Sequence, residues 1–431
     1  MNDTANRPDE VVLAPGLKGF PHEHPPVAAR DIAALGWNVL DGRLPLPLAV
    51  LKREALEHNL AWMQRFVQER GIELAPHGKT TMSPQLFKRQ LDAGAWGLTF
   101  ANVTQLAVGV AAGARRTLIA NQVLADEDLA GIQQLLARHP GLRIVFLVDS
   151  LAQLGLIEAW HAAHPGSVRF EVLLEIGVAG GRTGCRTADE ASALARRLHT
   201  STAVDLVGIE CYEGLGAKGR TEDDAPYAAA LMDRVEAIAQ LADRERLFDT
   251  DEILISAGGS AIFDLVAGRL KPALGRPVRG LLRSGCYVTH DHGNYSRMLA
   301  AVAQRCDCGE TLRPALEVWA TVQSCPEPGL AIVAVGRRDL SFDIEMPIPF
   351  ARAPRGATTP LAVPASWKIT ALNDQHAYLR WDTAVDALSA PVVGERIGLG
   401  ISHPCTTFDK WHWMPIVESD YRVTDAVAMH F

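Results

Sequence analysis

The chain reads as a (β/α)8 barrel joined to a second, mostly β domain, and three observations predict this. Over about 220 residues, eight short apolar runs alternate with Ala- and Leu-rich helical stretches. After about Cys308 the texture changes to short β-type runs separated by Pro, Gly and Asp. No Gly-x-Gly-x-x-Gly follows the first strand, which disfavours the competing doubly wound open sheet.

The elements follow in order. Residues 1–44 form an N-terminal arm and lead-in, rich in Pro, His and Gly. Pro45–Leu51 is a short apolar run that ends the lead-in and is a candidate to join the later β domain. Arg53–Arg70 has helical spacing, with Leu56, Leu60, Met63 and Phe66 on one stripe. The barrel is expected over 45–305, with strands at Ile72–Leu74, Gly97–Ala101, Arg116–Ala120, Arg143–Val148, Phe170–Ile176, Leu206–Cys211, Glu252–Ser256 and Gly280–Val288. Helices are expected at Ser83–Ala93, Val103–Ala112, Asp126–Ala137, Leu151–His161, Thr187–Thr200 and Asp224–Asp243. The β domain, 306–431, is expected to carry strands at Glu317–Val322, Leu330–Val335, Trp367–Leu372, His376–Leu379 and Arg396–Gly400.

Composition excludes several roles. The net charge of −8 argues against a nucleic-acid-binding surface. No apolar run approaches the ~18 to 20 residues that cross a bilayer. Met1–Glu10 is polar and lacks the pattern of a secretory signal. Seven scattered cysteines suit a reducing compartment, so a cytoplasmic protein is expected.

Ala75-Pro76-His77-Gly78-Lys79-Thr80 places a lysine just past the first strand, where barrel active sites lie. Pro, Gly and apolar neighbours are expected to desolvate Lys79 partly and depress its pKa, leaving an amine fit for Schiff-base chemistry. A solvated loop lysine is the plain alternative. Ser256-Ala257-Gly258-Gly259-Ser260 follows a strand, and its glycines let the backbone approach an anion, or simply make a tight turn. Glu175-Ile176-Gly177 leads to a second glycine-rich turn, Gly180-Gly181-Arg182-Thr183-Gly184. Far downstream, Ser402-His403-Pro404-Cys405-Thr406-Thr407-Phe408-Asp409 carries a His-x-Cys pair. On an extended segment, residues two apart face one side, and imidazole with thiolate suits zinc. His290, Asp291 and His292 orient substrate or merely fill a polar loop. His22-Glu23-His24 and Cys306-x-Cys308 have no partners that suggest a site.

Leu48-Ala49-Val50-Leu51, Leu56-Glu57-His58-Asn59 and Pro76-His77-Gly78-Lys79-Thr80 together resemble the opening of the alanine-racemase-like, fold-type-III pyridoxal-phosphate enzymes. More narrowly they resemble the D-serine dehydratase and D-threonine aldolase branch, and the resemblance runs from about residue 45 to the C-terminus. It implies that Lys79 carries pyridoxal 5'-phosphate and serves as the base. It implies that Gly258, Gly259 and Ser260 hold the phosphate, with backbone contacts from Gly285 and Cys286 in Leu282-Arg283-Ser284-Gly285-Cys286-Tyr287. Arg182 would approach the phenolic oxygen, Tyr212 would face the ring, and Arg283 would approach the pyridine nitrogen. His403 and Cys405 would hold a metal, and in this branch His-x-Cys goes with zinc and dehydration, His-x-Asp with other divalent ions and aldol cleavage.

The implied activity is a zinc-dependent dehydratase of D-3-hydroxy amino acids such as D-serine, D-threonine or D-threo-3-hydroxyaspartate, giving a 2-oxo acid and ammonia. A metal-dependent D-threonine-type aldolase is the first alternative. A non-catalytic pyridoxal-phosphate-binding protein is the second, and a barrel whose motif matches are coincidental is the third. Relatives of this kind pair head to tail, so a homodimer is expected.

Overall fold

The structure, a computed structural model, describes residues 11–306, 309–385 and 390–431. The polar start Met1–Glu10 and Cys308 lie outside the described residues. Eight parallel strands form the barrel: Glu73–Leu74, Leu98–Phe100, Arg116–Gln122, Arg143–Val148, Phe170–Ile176, Val204–Cys211, Ile253–Ala257 and Val278–Leu282. All eight expected strands are present; the last ends earlier than expected, because Cys286–Val288 turns into a 3-10 helix.

The first strand closes the ring. Ala75 N donates to Leu282 O at 2.8 Å and His77 N to Arg283 O at 3.2 Å. On its other side Thr99 N donates to Pro76 O at 2.8 Å. An open doubly wound sheet has two free edges; here the first strand pairs with both neighbours, so the barrel is the fold.

Side-chain alternation fills it. Leu118, Val145, Leu147, Leu173, Val207, Leu254 and Leu281 form a separate buried cluster along the strands. Their neighbours Ile119, Phe146, Leu174, Leu206 and Ile255 belong to the larger core shared with the helices. Period-two alternation on a sheet buried on both faces requires this double core.

Helix starts carry local signals. Ser83, Asn102 and Ser150 each accept an N–H of the first turn of Pro84–Asp92, Val103–Ala111 and Leu151–Ala163. Thr187 and Glu190 form a reciprocal capping box on Ala188–His199.

The remaining strands build an antiparallel sheet. Leu48–Lys52 pairs antiparallel with Leu316–Trp319 and parallel with Ile416–Val417, so this early run lies in the C-terminal sheet. The sequence reading omits Ile348–Ala353, Trp413–Val417 and Val423–Ala428. Two of these carry an internal proline, which argues against a strand. The fold accommodates Pro349 at a register shift, between Pro349 and Ala351. The lead-in also packs here: buried Phe20 meets Trp37 and Trp413 edge-on, at centroid distances of 5.6 and 5.9 Å.

No described helix is long and apolar enough to cross a membrane.

Thr187→Ala removes a cap worth about 1 kcal/mol. Hydrogen exchange should therefore accelerate in the first turn of Ala188–His199, with Val204–Cys211 unchanged and Thr187→Ser close to wild type. Equal exchange in Thr187→Ala and wild type would show that the cap contributes nothing.

Candidate functional site

The C-terminal ends of the barrel strands deliver one set of polar side chains to one mouth. His77, Lys79, Glu175, Arg182, Tyr212 and Arg283 line a cavity of about 60 Å³ there.

Its floor is a buried ion pair. The Arg283 guanidinium contacts the Glu210 carboxylate, donates to Ser256 Oγ at 2.6 Å and reaches Cys211 O at 3.2 Å. Both side chains are almost wholly buried, at 2% and 1% exposure. Burial raises the Glu210 carboxyl, and Arg283 acts against it. Arg283 Nε and Glu210 Oε2 have no hydrogen-bond partner. Beside them Glu175 accepts from Thr183 Oγ1 at 2.6 Å and Gln122 Nε2 at 2.5 Å.

Lys79 stands at the opening. Partial desolvation is expected there from the sequence; instead the residue is exposed, and no described acid pairs with its amine. Its backbone N–H donates to His77 Nδ1 at 3.4 Å. Burial and the neighbouring cations push His77 well down, so its imidazole is neutral.

Arg182 lies over the Tyr212 ring, 4.8 Å from its centroid. The loop carrying it is pinned from below by two arginines that sequence reasoning missed. Arg186 donates to Gly181 O at 2.8 Å and Thr183 O at 2.5 Å; Arg234 donates to Gly177 O at 2.6 Å and Arg186 O at 2.8 Å. Gly184 sits at φ +93°, where a Cβ would meet Gly177 N at 2.3 Å.

The glycine loop differs from expectation in one respect. The N–H groups of Gly258 and Gly259 both donate to the buried Glu213 carboxylate, at 3.1 and 2.6 Å. The backbone N–H groups of Ser260, Ala261, Gly285 and Cys286, on two adjacent strand ends, have no acceptor among the described residues. Gly258 approaches Arg283 so closely that a Cβ would lie 2.3 Å from its N, and one on Gly285 would lie 2.5 Å from His77 O.

His403 and Cys405 come together, though not on an extended segment. Pro404 is helical and Cys405 opens the one-turn helix Cys405–Phe408. His403 Nδ1 is 2.5 Å from Asp343 Oδ2, and Asp343 Oδ1 accepts from Thr406 Oγ1 at 2.9 Å. Cys405 raises the His403 imidazole to about 9, with Asp343 adding to it. Cys405 Sγ lies 3.7 Å from Cys286 Sγ and 3.4 Å from Thr80 Oγ1. Hydrogen bonds with Cys286, His403 and Thr80 hold the Cys405 thiol down against its burial. Among the described residues, no three His, Cys, Asp or Glu side chains already surround one point as a metal cage.

The His290–His292 stretch has structural work. Asp291 accepts from the N–H groups of Gly293, Tyr295 and Ser296 at the start of Asn294–Cys306. His292 stacks on Phe350. Asp343, Glu213 and the Cys286 thiol carry no signal in the sequence, since each matters through a partner distant along the chain.

Arg283→Met would leave Glu210 buried without its partner, at a cost on the order of 3–5 kcal/mol. The thermal midpoint should fall clearly, and Glu210→Gln/Arg283→Met should recover much of the loss. A double variant no more stable than the single one would show that the pair is not the source.

Residues 51–270 match the family model described as alanine racemase, N-terminal domain, and residues 315–417 match a putative serine dehydratase domain. The chain is 28% identical over 367 residues to a D-threonine aldolase of Arthrobacter sp, covering 85% of this chain and 87% of the relative. It is 30% identical over 260 residues to D-threo-3-hydroxyaspartate dehydratase of Delftia sp. (strain HT23), covering 58% and 62%. The solved structure of that dehydratase superposes with a TM-score of 0.71 at 24% identity, covering 91% of this chain and 99% of the other. A cysteine variant of a D-threo-3-hydroxyaspartate dehydratase, solved in a metal-free form, superposes with a TM-score of 0.69 at 24% identity, covering 90% and 98%. D-threonine aldolase from Filomicrobium marinum superposes with a TM-score of 0.76 at 25% identity, covering 91% and 97%.

Proposed function

We propose that this chain, which belongs to the alanine racemase N-terminal domain family, is a pyridoxal-phosphate-dependent lyase that dehydrates D-3-hydroxy amino acids with the help of zinc. The observation that carries the reading is the place of Thr80. It follows Lys79 directly, and its Oγ1 touches Cys405 Sγ. The segment carrying the imidazole and thiolate donors is therefore packed against the turn that carries the lysine.

The residues present fit the cofactor. Four unpaired backbone N–H groups, on Ser260, Ala261, Gly285 and Cys286, suit a phosphate. Arg283 Nε, buried without a partner, suits the ring nitrogen. Tyr212 and Arg182 suit the ring face and phenolic oxygen, and the exposed Lys79 amine suits the carbonyl carbon. Gly258 and Gly259 support this cradle through Glu213. His403 and Cys405 suit zinc, with Asp343 orienting the imidazole.

When bound, the cofactor supplies an electron sink at the α-carbon and zinc a Lewis acid at the β-hydroxyl. The protein's part is positioning and proton transfer. Lys79 Nζ takes the α-proton on the face it occupies. Neutral His77 holds the Lys79 turn through its Nδ1. Loss of water from the substrate, then hydrolysis of the released enamine, yields a 2-oxo acid and ammonia. The thiolate in the metal pair favours zinc over harder ions, which supports dehydration over aldol cleavage. The longer match to a D-threonine aldolase, over 85% of this chain, supports the second reading: retro-aldol cleavage to glycine and an aldehyde. We also retain the homodimer and the cytoplasmic location as parts of this proposal.

Purified, cofactor-loaded protein should convert D-serine, D-threonine or D-threo-3-hydroxyaspartate to a 2-oxo acid and ammonia. Chelation should abolish this and zinc restore it. Glycine plus an aldehyde would move the protein to the aldolase reading. Lys79→Ala should lose turnover by ~10³-fold or more and lose the visible absorbance of the lysine-linked cofactor. Light scattering that gives a monomer mass would remove the dimer.

A further inference from the structure

We propose that Cys286 is a third protein ligand of the metal, so that two thiolates and one imidazole hold the ion. This inference rests on the zinc reading above and adds to it a residue from the barrel.

Cys286 arrives by a different route from the His-x-Cys pair. It follows the last barrel strand, Val278–Leu282, and lies 119 positions before Cys405. The fold nevertheless sets its Sγ 3.7 Å from Cys405 Sγ. Two thiolates on one tetrahedral zinc, each with a Zn–S bond of ~2.3 Å, stand roughly 3.7–3.8 Å apart. The sulfurs are thus spaced as donors to one ion. A disulfide would need ~2.05 Å, and both cysteines are free. Thr80 Oγ1 contacts both sulfurs, at 3.4 Å from Cys405 and 3.7 Å from Cys286, so the pair is held from the lysine side as well.

The third donor stands beside them. His403 neighbours Cys405, and its Nδ1 is engaged by Asp343 at 2.5 Å. That leaves Nε2 for an ion, in the carboxylate–histidine–metal order that fixes a ligating imidazole. No three such side chains yet surround one point among the described residues. The sulfur pair is the preset part, and His403, held by Asp343, supplies the nitrogen.

Coordination number gives the reason such a residue is useful. Catalytic zinc keeps three protein ligands and one open position, and Cys2His is a known set. His403 and Cys405 alone would leave two positions to solvent. With Cys286, one position would remain, and it would be available to a β-hydroxyl. A second thiolate also strengthens the preference for a soft ion.

The test counts sulfurs. Zinc K-edge absorption fine structure of the wild-type, zinc-loaded holoenzyme should show two sulfur scatterers at ~2.3 Å, and Cys286→Ser should show one. Zinc affinity, measured by competition with a chromophoric chelator, should fall in Cys286→Ser by more than the ~10–100-fold typical of losing an outer-shell partner. Asp343→Asn, which removes such a partner, should keep both sulfurs. One sulfur in the wild type, unchanged in Cys286→Ser, would overturn the third ligand while leaving His403 and Cys405 as the site. A wild type that binds no zinc would overturn both this inference and the metal part of the proposed function. The wild-type count decides even if Cys286→Ser folds poorly.

Discussion

Closure of the barrel at its first strand is the constraint on which the site depends. Residues 73–77 hydrogen-bond to the second strand on one side and the last strand on the other. That seam sets Lys79 and Thr80, from the start of the barrel, beside Arg283 to Cys286, from its end. The pocket, the N–H groups of Gly285 and Cys286 and the thiol pair all lie along it. A sheet left open there would place the same residues at opposite edges.

Buried charge is the second organising feature. Carboxylates Glu175, Glu210 and Glu213 lie under the mouth with Arg283 among them. Such groups are tolerated only when paired or hydrogen-bonded. Each meets that condition differently: Glu210 through Arg283, Glu175 through Thr183 and Gln122, Glu213 through two backbone N–H groups. The result is a rigid floor beneath an exposed lysine. Rigid support under a reactive group is what preorganised catalysis requires.

Much of this was legible in the chain. Apolar runs such as Arg143–Val148 and Phe170–Ile176 are flanked by helical patterns, and a parallel strand buried on both faces has no other reading in that context. Lys79 was legible because it follows such a run. His403 and Cys405 stood out through the longer string around them, which resembles the metal segment of the branch; their spacing was a poor guide, because Cys405 opens a helical turn. The strands Ile348–Ala353 and Trp413–Val417 were not, because Pro349 and Pro415 argue locally against them and only pairing with distant partners overrides that. The desolvation expected of Lys79 was not found either, since burial depends on what the whole fold packs around a residue.

Local order therefore belongs to the sequence: the alternation of strand and helix, the caps at Ser83 and Thr187, the lysine after the first strand, the His-x-Cys pair. These rest on periodicity and on interactions within a few residues, which the chain encodes wherever it lies. The tertiary structure alone decided that Glu213 would hold the Gly258–Gly259 turn, that Asp343 would orient His403, and that Cys286 would meet Cys405. Each pairs residues dozens to more than a hundred positions apart. No local rule specifies such pairs, because their distance is set by the closed sheet and by the packing of one domain on the other.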